Sequence, residues 1–285
     1  MAELRGLCAG FLVTFVEREG RMQGLNLDRV GELVQAAGAA RLTVAGGVTT
    51  PADVAAIDRL GADAQVGMAL YTGRMHLADA IASPLRSDRP DGLWPTVVTD
   101  EYGAALGLAW SSAESLRIAV EQQIGAYQSR TRGLWVKGAT SGATQELLRI
   151  DLDCDRDALR FTVQQRGAGF CHENTWTCWG PRAGLPALLD TLQARKQAAP
   201  PGSYTRRLLD DPALLRAKLV EEAGELAVAQ TPAHIAAEAA DLLYFALVAL
   251  TRQDVPLAAV EAELERRSRK VTRRPGHAKP DAEQR

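Results

Sequence analysis

Through residues 1–82 the apolar positions change period repeatedly, passing from short contiguous runs to helical spacing and back. Phe11–Val16, Arg41–Ala45 and Ala64–Val66 read as strands, and Leu27–Ala39, Pro51–Leu60 and Arg74–Ala82 as helices. Thr50 stands where a cap is needed, and Pro51 occupies the first helical position, where a missing N–H costs little. Alternating strands and helices predict a parallel sheet. The polar stretch from Ser83 to Gly92 predicts a linker. Residues 93–180 then read mostly as strands (Pro95–Thr99, Ala105–Ala109, Leu134–Lys137, Glu146–Asp153, Ala158–Gln164), with one helix near Ser112–Gln123. From Leu185 to Arg269 the spacing is helical, broken at Pro200-Pro201-Gly202, Thr231-Pro232 and Asp254-Val255-Pro256.

Composition narrows the classes. A chain of 285 residues, 46% hydrophobic and 24% charged, can bury two or three cores. The net charge of -2 provides no general attraction to nucleic acid or anionic membrane. No unbroken apolar run reaches the roughly 18 residues of a membrane span; the nearest, Ala239–Leu250, carries Asp241. Leu7–Val16 is apolar but leads into Glu17-Arg18-Glu19 rather than a small-residue cleavage site, so no export signal is expected. Four cysteines, Cys8, Cys154, Cys171 and Cys178, then suit a reduced, cytoplasmic setting with thiols available to metal.

Candidate chemistry concentrates in two places. In Asp151-Leu152-Asp153-Cys154-Asp155-Arg156-Asp157, an extended strand would put Asp153, Asp155 and Asp157 on one face and Cys154 on the other. Stacked carboxylates repel, which calls either for a hard cation such as Mg²⁺ or for a solvated edge. Cys171 and Cys178, with Cys154 as a third thiol, can offer zinc three sulfur ligands and an open fourth position; a disulfide or inert thiols are the alternative. Cys154 need not reach the other two within one chain, so a zinc completed by a partner subunit is a reasonable expectation. His172 could be a ligand, an acid–base group or a packed ring, and spacing does not choose. Upstream, Ser129 to Gly142 interleaves cations, hydroxyls and glycines, as either a phosphate cradle or a polar hairpin would. In the helical segment, Glu221-Glu222-x-x-Glu225 and Glu238-x-x-Asp241 each place carboxylates on one face. A short turn at Thr231-Pro232 makes the two helices antiparallel, setting Glu225 opposite Glu238 and Glu222 opposite Asp241. Divalent metal would offset that charge; exposed solubilising residues are the bland alternative.

Trp135-x-Lys137-Gly138-x-Thr140-Ser141-Gly142, Asp153-Cys154-Asp155-x-Asp157 and Cys171-His172 with Cys178 together resemble the phosphoribosyl-AMP cyclohydrolases of histidine biosynthesis over about residues 88–180. That resemblance implies zinc on Cys154, Cys171 and Cys178, with Cys154 donated across a homodimer, and Mg²⁺ on Asp153, Asp155 and Asp157. It implies substrate contacts from Trp135, Lys137, Thr140, Ser141 and Gly142, to which Arg130 and Arg132 of the cradle-like run would add, and proton transfer by His172 during hydrolytic opening of an adenine ring. Ala143 departs from the Asn usual in that family. The carboxylate pairs, with Ser203-Tyr204-Thr205, Lys218 and Leu242-Leu243-Tyr244, resemble the all-α phosphoribosyl-ATP pyrophosphohydrolases over about residues 186–270. There Glu222, Glu225, Glu238 and Asp241 would hold Mg²⁺, Lys218 would bind substrate and Glu221 would activate water.

Gly46-Gly47-Val48 and Val66-Gly67-x-Ala69-Leu70 resemble the last strand–helix units of the phosphoribosyl-formimino isomerase barrel. Where that family has a catalytic Asp this chain has Phe15, in Thr14-Phe15-Val16-Glu17-Arg18-Glu19-Gly20, so a fragment without isomerase activity is expected. The implied fold class is multidomain, α/β plus α+β plus all-α: a partial (β/α) barrel at 1–85, a mostly-β cyclohydrolase domain at 86–182, an all-α pyrophosphohydrolase domain at 183–270 and a polar, basic tail at 271–285. The order resembles the fungal multifunctional enzymes. It implies a bifunctional cytoplasmic hydrolase of phosphoribosyl-ATP and phosphoribosyl-AMP, homodimeric, needing Zn²⁺ and Mg²⁺ and binding neither nucleic acid nor membrane. The rival readings are a cyclohydrolase with a degenerate helical dimerisation module, or a non-catalytic zinc-stabilised nucleotide-binding protein. The basic run of Arg266, Arg267, Arg269, Lys270, Arg273 and Arg274 reads as a solvated helix end.

Overall fold

The structure is a computed structural model that describes residues 1, 3–4, 7–16, 25–131 and 133–268. Arg132, the run Glu17–Gly20 and the tail beyond Ser268 lie outside the described residues. The chain divides into two compact units, Met1–Pro181 and Arg182–Arg285. The whole is mixed α/β.

The first unit holds two hydrophobic cores. Strands β1 (Gly10–Thr14), β2 (Arg41–Ala45) and β3 (Asp63–Gln65) form the expected parallel sheet in the order β1-β2-β3. Helix α1 (Leu27–Ala37) is capped by Asn26. Helix α2 (Pro51–Arg59) is capped by Thr50, whose hydroxyl accepts from the Asp53 N–H while the Asp53 carboxylate accepts from the Thr50 N–H. Val30, Val44 and Ile57 are fully buried between these elements. The helix expected over Arg74–Ala82 is α4 (Leu77–Ala82), which begins three residues later, and a short helix that sequence reading missed, α3 (Met68–Tyr71), precedes it, the two separated by Gly73 in a left-handed φ of 69°.

The second core lies under a sheet of order β5-β4-β9-β8, from β4 (Trp94–Thr99), β5 (Ala105–Ser111), β8 (Gln145–Leu152) and β9 (Leu159–Gln165). Helix α5 (Ala113–Gln122) opens with a capping box between Ser112 and Ser115. A separate antiparallel ribbon pairs β6 (Ala126–Ser129) with β7 (Gly133–Val136). Sequence reading missed β6, four residues with no apolar alternation. Its Tyr127 is fully buried, with Trp135 at 5.5 Å and Phe161 at 5.6 Å between ring centroids. The polar stretch from Ser83 to Gly92 is irregular but tied down: the Arg86 N–H donates to the Arg156 carbonyl at 2.7 Å, and the Ser87 hydroxyl to the Leu93 carbonyl at 2.9 Å.

The second unit is all-α among its described residues: α6 (Gly184–Gln197), α7 (Tyr204–Asp210), α8 (Pro212–Val228), α9 (Pro232–Arg252) and α10 (Leu257–Ser268). Asp211 caps α8 and Thr231 caps α9, while the Lys196 amine donates to the Thr251 carbonyl at 3.0 Å at the far end of α9. One expectation needs correcting. Helix α9, 21 residues with a window of mean hydropathy 1.5, is long and apolar enough to cross a membrane by length and composition. It carries Glu238 and Asp241 within that length and packs against α6, α7 and α8. Arg266 and Arg267 both pair with Glu263, in keeping with a solvated helix end.

Candidate active sites

The first site is a cavity of about 380 Å³ in the mixed unit. Strand β7 and the turn after it deliver Trp135, Lys137, Thr140 and Ser141; the loop after β9 delivers Phe170, Cys171, His172, Asn174 and Cys178. The turn depends on Gly138, with φ at 84° and a Cβ that would come within 2.6 Å of Thr144 backbone. Gly142 closes it, donating to the Gly138 carbonyl at 2.9 Å. Gly107 of β5 lets Phe170 and Cys178 approach the sheet: a Cβ there would lie 2.2 Å from Phe170 Cε1 and 3.0 Å from Cys178 Sγ.

Lys137 is 7% exposed, with its amine 3.3 Å from the Gly169 carbonyl and 5.7 Å from the Phe170 ring centre. Burial pulls its pKa down, against the opposing pull of the Cys171 and Cys178 sulfurs. The two thiols interact directly and differ. The Glu173 backbone N–H and then the Thr175 hydroxyl hold Cys171 below the ordinary thiol range, whereas burial pushes Cys178 up. His172 Nδ1 is 3.9 Å from Cys171 Sγ. All four cysteines are free thiols. Cys154 is exposed, 3.8 Å from an Asp155 oxygen, and among the described residues it does not join Cys171 and Cys178 in a three-ligand group. Arg130 also lies apart: its guanidinium is 5.7 Å from the Trp110 ring centre, beside Arg89 at 4.1 Å. Phe170 and Asn174 line the cavity without having been singled out from sequence; Asn174 adopts φ 59°, a conformation Asn tolerates.

The three aspartates do meet, with one carboxylate oxygen from each within 4.8 Å of the others. They do so in the loop between β8 and β9 rather than on a strand face, which corrects the extended-strand expectation. The Asp153 carboxylate turns the chain by accepting the Asp157 N–H at 2.9 Å and the Ala158 N–H at 3.1 Å. Although burial opposes it, the Ala158 N–H and its neighbours hold the Asp153 pKa down, while the hydrogen bond to Asp153 and the charge of Asp155 push Asp157 up. Such crowding suits a bound divalent cation.

The second site lies on the α8–α9 hairpin. Glu222, Glu238 and Asp241 come within 4.8 Å of one another, Glu222 being 5% exposed. Glu225 faces Glu238, whose hydrogen bond and charge push its pKa up. The level matching expected from helical period is therefore present. Lys218 bridges Glu221 at 2.8 Å and Glu222 at 2.9 Å, and both raise its pKa. His234 Nε2 sits 3.1 Å from Glu238.

A thiol-lined cavity on a mixed sheet, followed by a helical hairpin that clusters acids, defines a two-module chain in which each module gathers side chains able to hold a metal ion. The phosphoribosyl-AMP cyclohydrolase family matches residues 107–180, the phosphoribosyl-ATP pyrophosphohydrolase family residues 185–268, and a histidine biosynthesis protein family residues 2–76. The chain is 36% identical over 196 residues to the histidine biosynthesis bifunctional protein of Pyrococcus furiosus, covering 93% of that protein and 63% of this chain. It therefore belongs to the histidine-biosynthesis family that joins a cyclohydrolase domain to a pyrophosphohydrolase domain. It is 57% identical over 207 residues to the trifunctional protein of Neurospora crassa, covering 73% of this chain and 24% of that protein. With the bifunctional protein of Schizosaccharomyces pombe it shares 51% identity over 206 residues, 72% of this chain and 49% of that protein. The chain thus spans about a quarter to a half of the fungal relatives it matches.

Proposed function

We propose that the chain performs two hydrolytic steps, releasing pyrophosphate from phosphoribosyl-ATP on the helical unit and opening the adenine ring of phosphoribosyl-AMP in the thiol-lined cavity. The observation that carries this reading is the convergence of Cys171, Cys178, His172, Lys137 and the 138–142 turn on one cavity, in a chain whose other unit clusters level-matched carboxylates. The donor sets fit the expected metals: soft thiols, one already acidified, for zinc, and hard carboxylates for Mg²⁺. When bound, zinc supplies Lewis-acid activation of water, and Mg²⁺ neutralises phosphate charge.

The chain's own groups do the rest. Trp135 offers a face for the base, while Lys137, Thr140 and Ser141 receive phosphate oxygens, and Gly142, whose N–H is held by the Gly138 carbonyl, shapes the turn that presents them. His172 moves the proton as the ring opens. On the hairpin, Glu222, Glu225, Glu238 and Asp241 hold Mg²⁺, Lys218 contacts substrate phosphate, and Glu221 accepts a proton from the attacking water. Cys154, exposed and remote from its partners in one chain, is the third sulfur donated by a second copy in a homodimer. Arg130, on swinging off the Trp110 face, and Arg132 complete the substrate contacts, and the enzyme works in the cytoplasm. The three sequence domains, 1–85, 86–182 and 183–270, correspond to a barrel fragment lacking isomerase activity and the two hydrolases.

Separate assays of the steps test this reading. Cys171→Ser is expected to abolish ring opening while pyrophosphate release persists, and Glu222→Gln with Glu225→Gln to do the reverse. If either set leaves both rates unchanged, the assignment of sites is wrong.

A further inference from the structure

The acidic loop between β8 and β9 is not held by its own strands alone. Arg156, in its middle, adopts φ 65°, a left-handed conformation that is unfavourable for an L residue and persists only where the surrounding structure enforces it. Its guanidinium turns toward α2 of the N-terminal layer. Nε and Nη2 donate to one Asp58 oxygen at 2.9 and 2.7 Å, and Nη1 donates to the Asp153 carbonyl. The Arg156 carbonyl is taken by the Arg86 N–H. Asp58 in turn is placed by a rigid support, since its neighbour Ile57 is fully buried and α2 carries the reciprocal cap at its start. Both side chains of the pair are sheltered, with Asp58 22% and Arg156 30% exposed.

Two effects follow. The pair pins the loop backbone at Asp153, and it withholds a cation from the carboxylates on either side. An untethered Arg156 would be free to fork onto Asp155 or Asp157 and compete with a metal ion for the same oxygens.

We propose that Asp58 is a positioning residue for the Asp153–Asp155–Asp157 metal loop, holding Arg156 away from the carboxylates so that they remain open to a divalent cation. The barrel-like layer thereby acquires a task without chemistry of its own, as the outer support of a metal site. This rests on reading the loop as a Mg²⁺ site.

The test uses the full chain in a Glu222→Gln, Asp241→Asn parent, which removes the helical site, with Mn²⁺ as probe and free Mn²⁺ read by electron paramagnetic resonance. Loop binding is the component lost on Asp155→Asn. Asp58→Ala, and the isosteric Asp58→Asn should the first fold poorly, are expected to weaken it by about tenfold or more. Asp58→Glu should stay near the parent, and zinc content should not change. Asp79→Ala, which breaks the Asp79–Arg117 pair between α4 and α5, serves as the control for a merely structural role and should leave Mn²⁺ affinity unmoved. Equal Mn²⁺ affinity in parent and Asp58→Asn overturns the proposal while sparing the metal site. A parent without Asp155-dependent binding overturns the metal reading and the clamp with it.

Discussion

Gly107 shows how a residue with no side chain can govern a site. The space it leaves is filled by Phe170, which cannot retreat because Tyr127 and Trp135 ring centres stand 6.4 and 6.1 Å away. Gly107→Ala is expected to cost about 1–3 kcal/mol through overpacking. It should also lower zinc content by moving Cys178; thermal unfolding and metal analysis check the two effects. Sequence reading found the thiols and the turn residues because cysteine, histidine and Lys-Gly-x-Thr-Ser-Gly carry their chemistry in their identity. Gly107 was silent. A glycine inside a strand signals close approach in general but does not say what approaches.

At the scale of elements, what was legible depended on how local the cause was. Thr50, Pro51 and Asp53 lie within one helical turn, and α2 begins where they place it. Burial works against the Asp53 charge, but the N–H groups of Thr49 and Thr50 and the Thr49 hydroxyl hold its pKa below the ordinary value. A depressed folded pKa contributes stability above the unfolded value, near about 4, and loses it as pH falls through the folded value. Asp53→Asn should therefore cost about 1 kcal/mol at neutral pH, less whatever solvent screening removes. The gap in melting temperature to the parent should close below about pH 4. The aspartate loop went the other way. Alternation places Asp153, Asp155 and Asp157 on one face only if the backbone stays extended, and the Asp153 carboxylate bends it. Side-chain-to-backbone competition of this kind is a known habit of Asp, yet strand propensity on both sides concealed it.

For the whole molecule, the Mg²⁺ site proposed on α8 and α9 would make the helical unit's stability sensitive to divalent metal. Glu222 is nearly buried against Glu238 and Asp241, a charge density that folding alone does not favour. Adding Mg²⁺ at about 100 times its dissociation constant is expected to stabilise this unit by about 2.7 kcal/mol. Chelation should remove that gain along with pyrophosphate release, and calorimetry with and without Mg²⁺ reads it directly. A Glu222→Gln chain should lose most of the response.

By itself the sequence determined the helical and strand periods, the caps, the Pro and Gly breaks and the level matching of Glu222 with Asp241, since each follows from residues a few positions apart or from one short antiparallel turn. It also specified which donors exist. Only tertiary structure decided which donors meet. Cys171 and Cys178 share a cavity wall with Lys137, while Cys154 stands elsewhere and Arg130 lies on Trp110. Arg156 finds Asp58 across 98 residues of chain. Such meetings depend on how separate layers pack, and no local period encodes that.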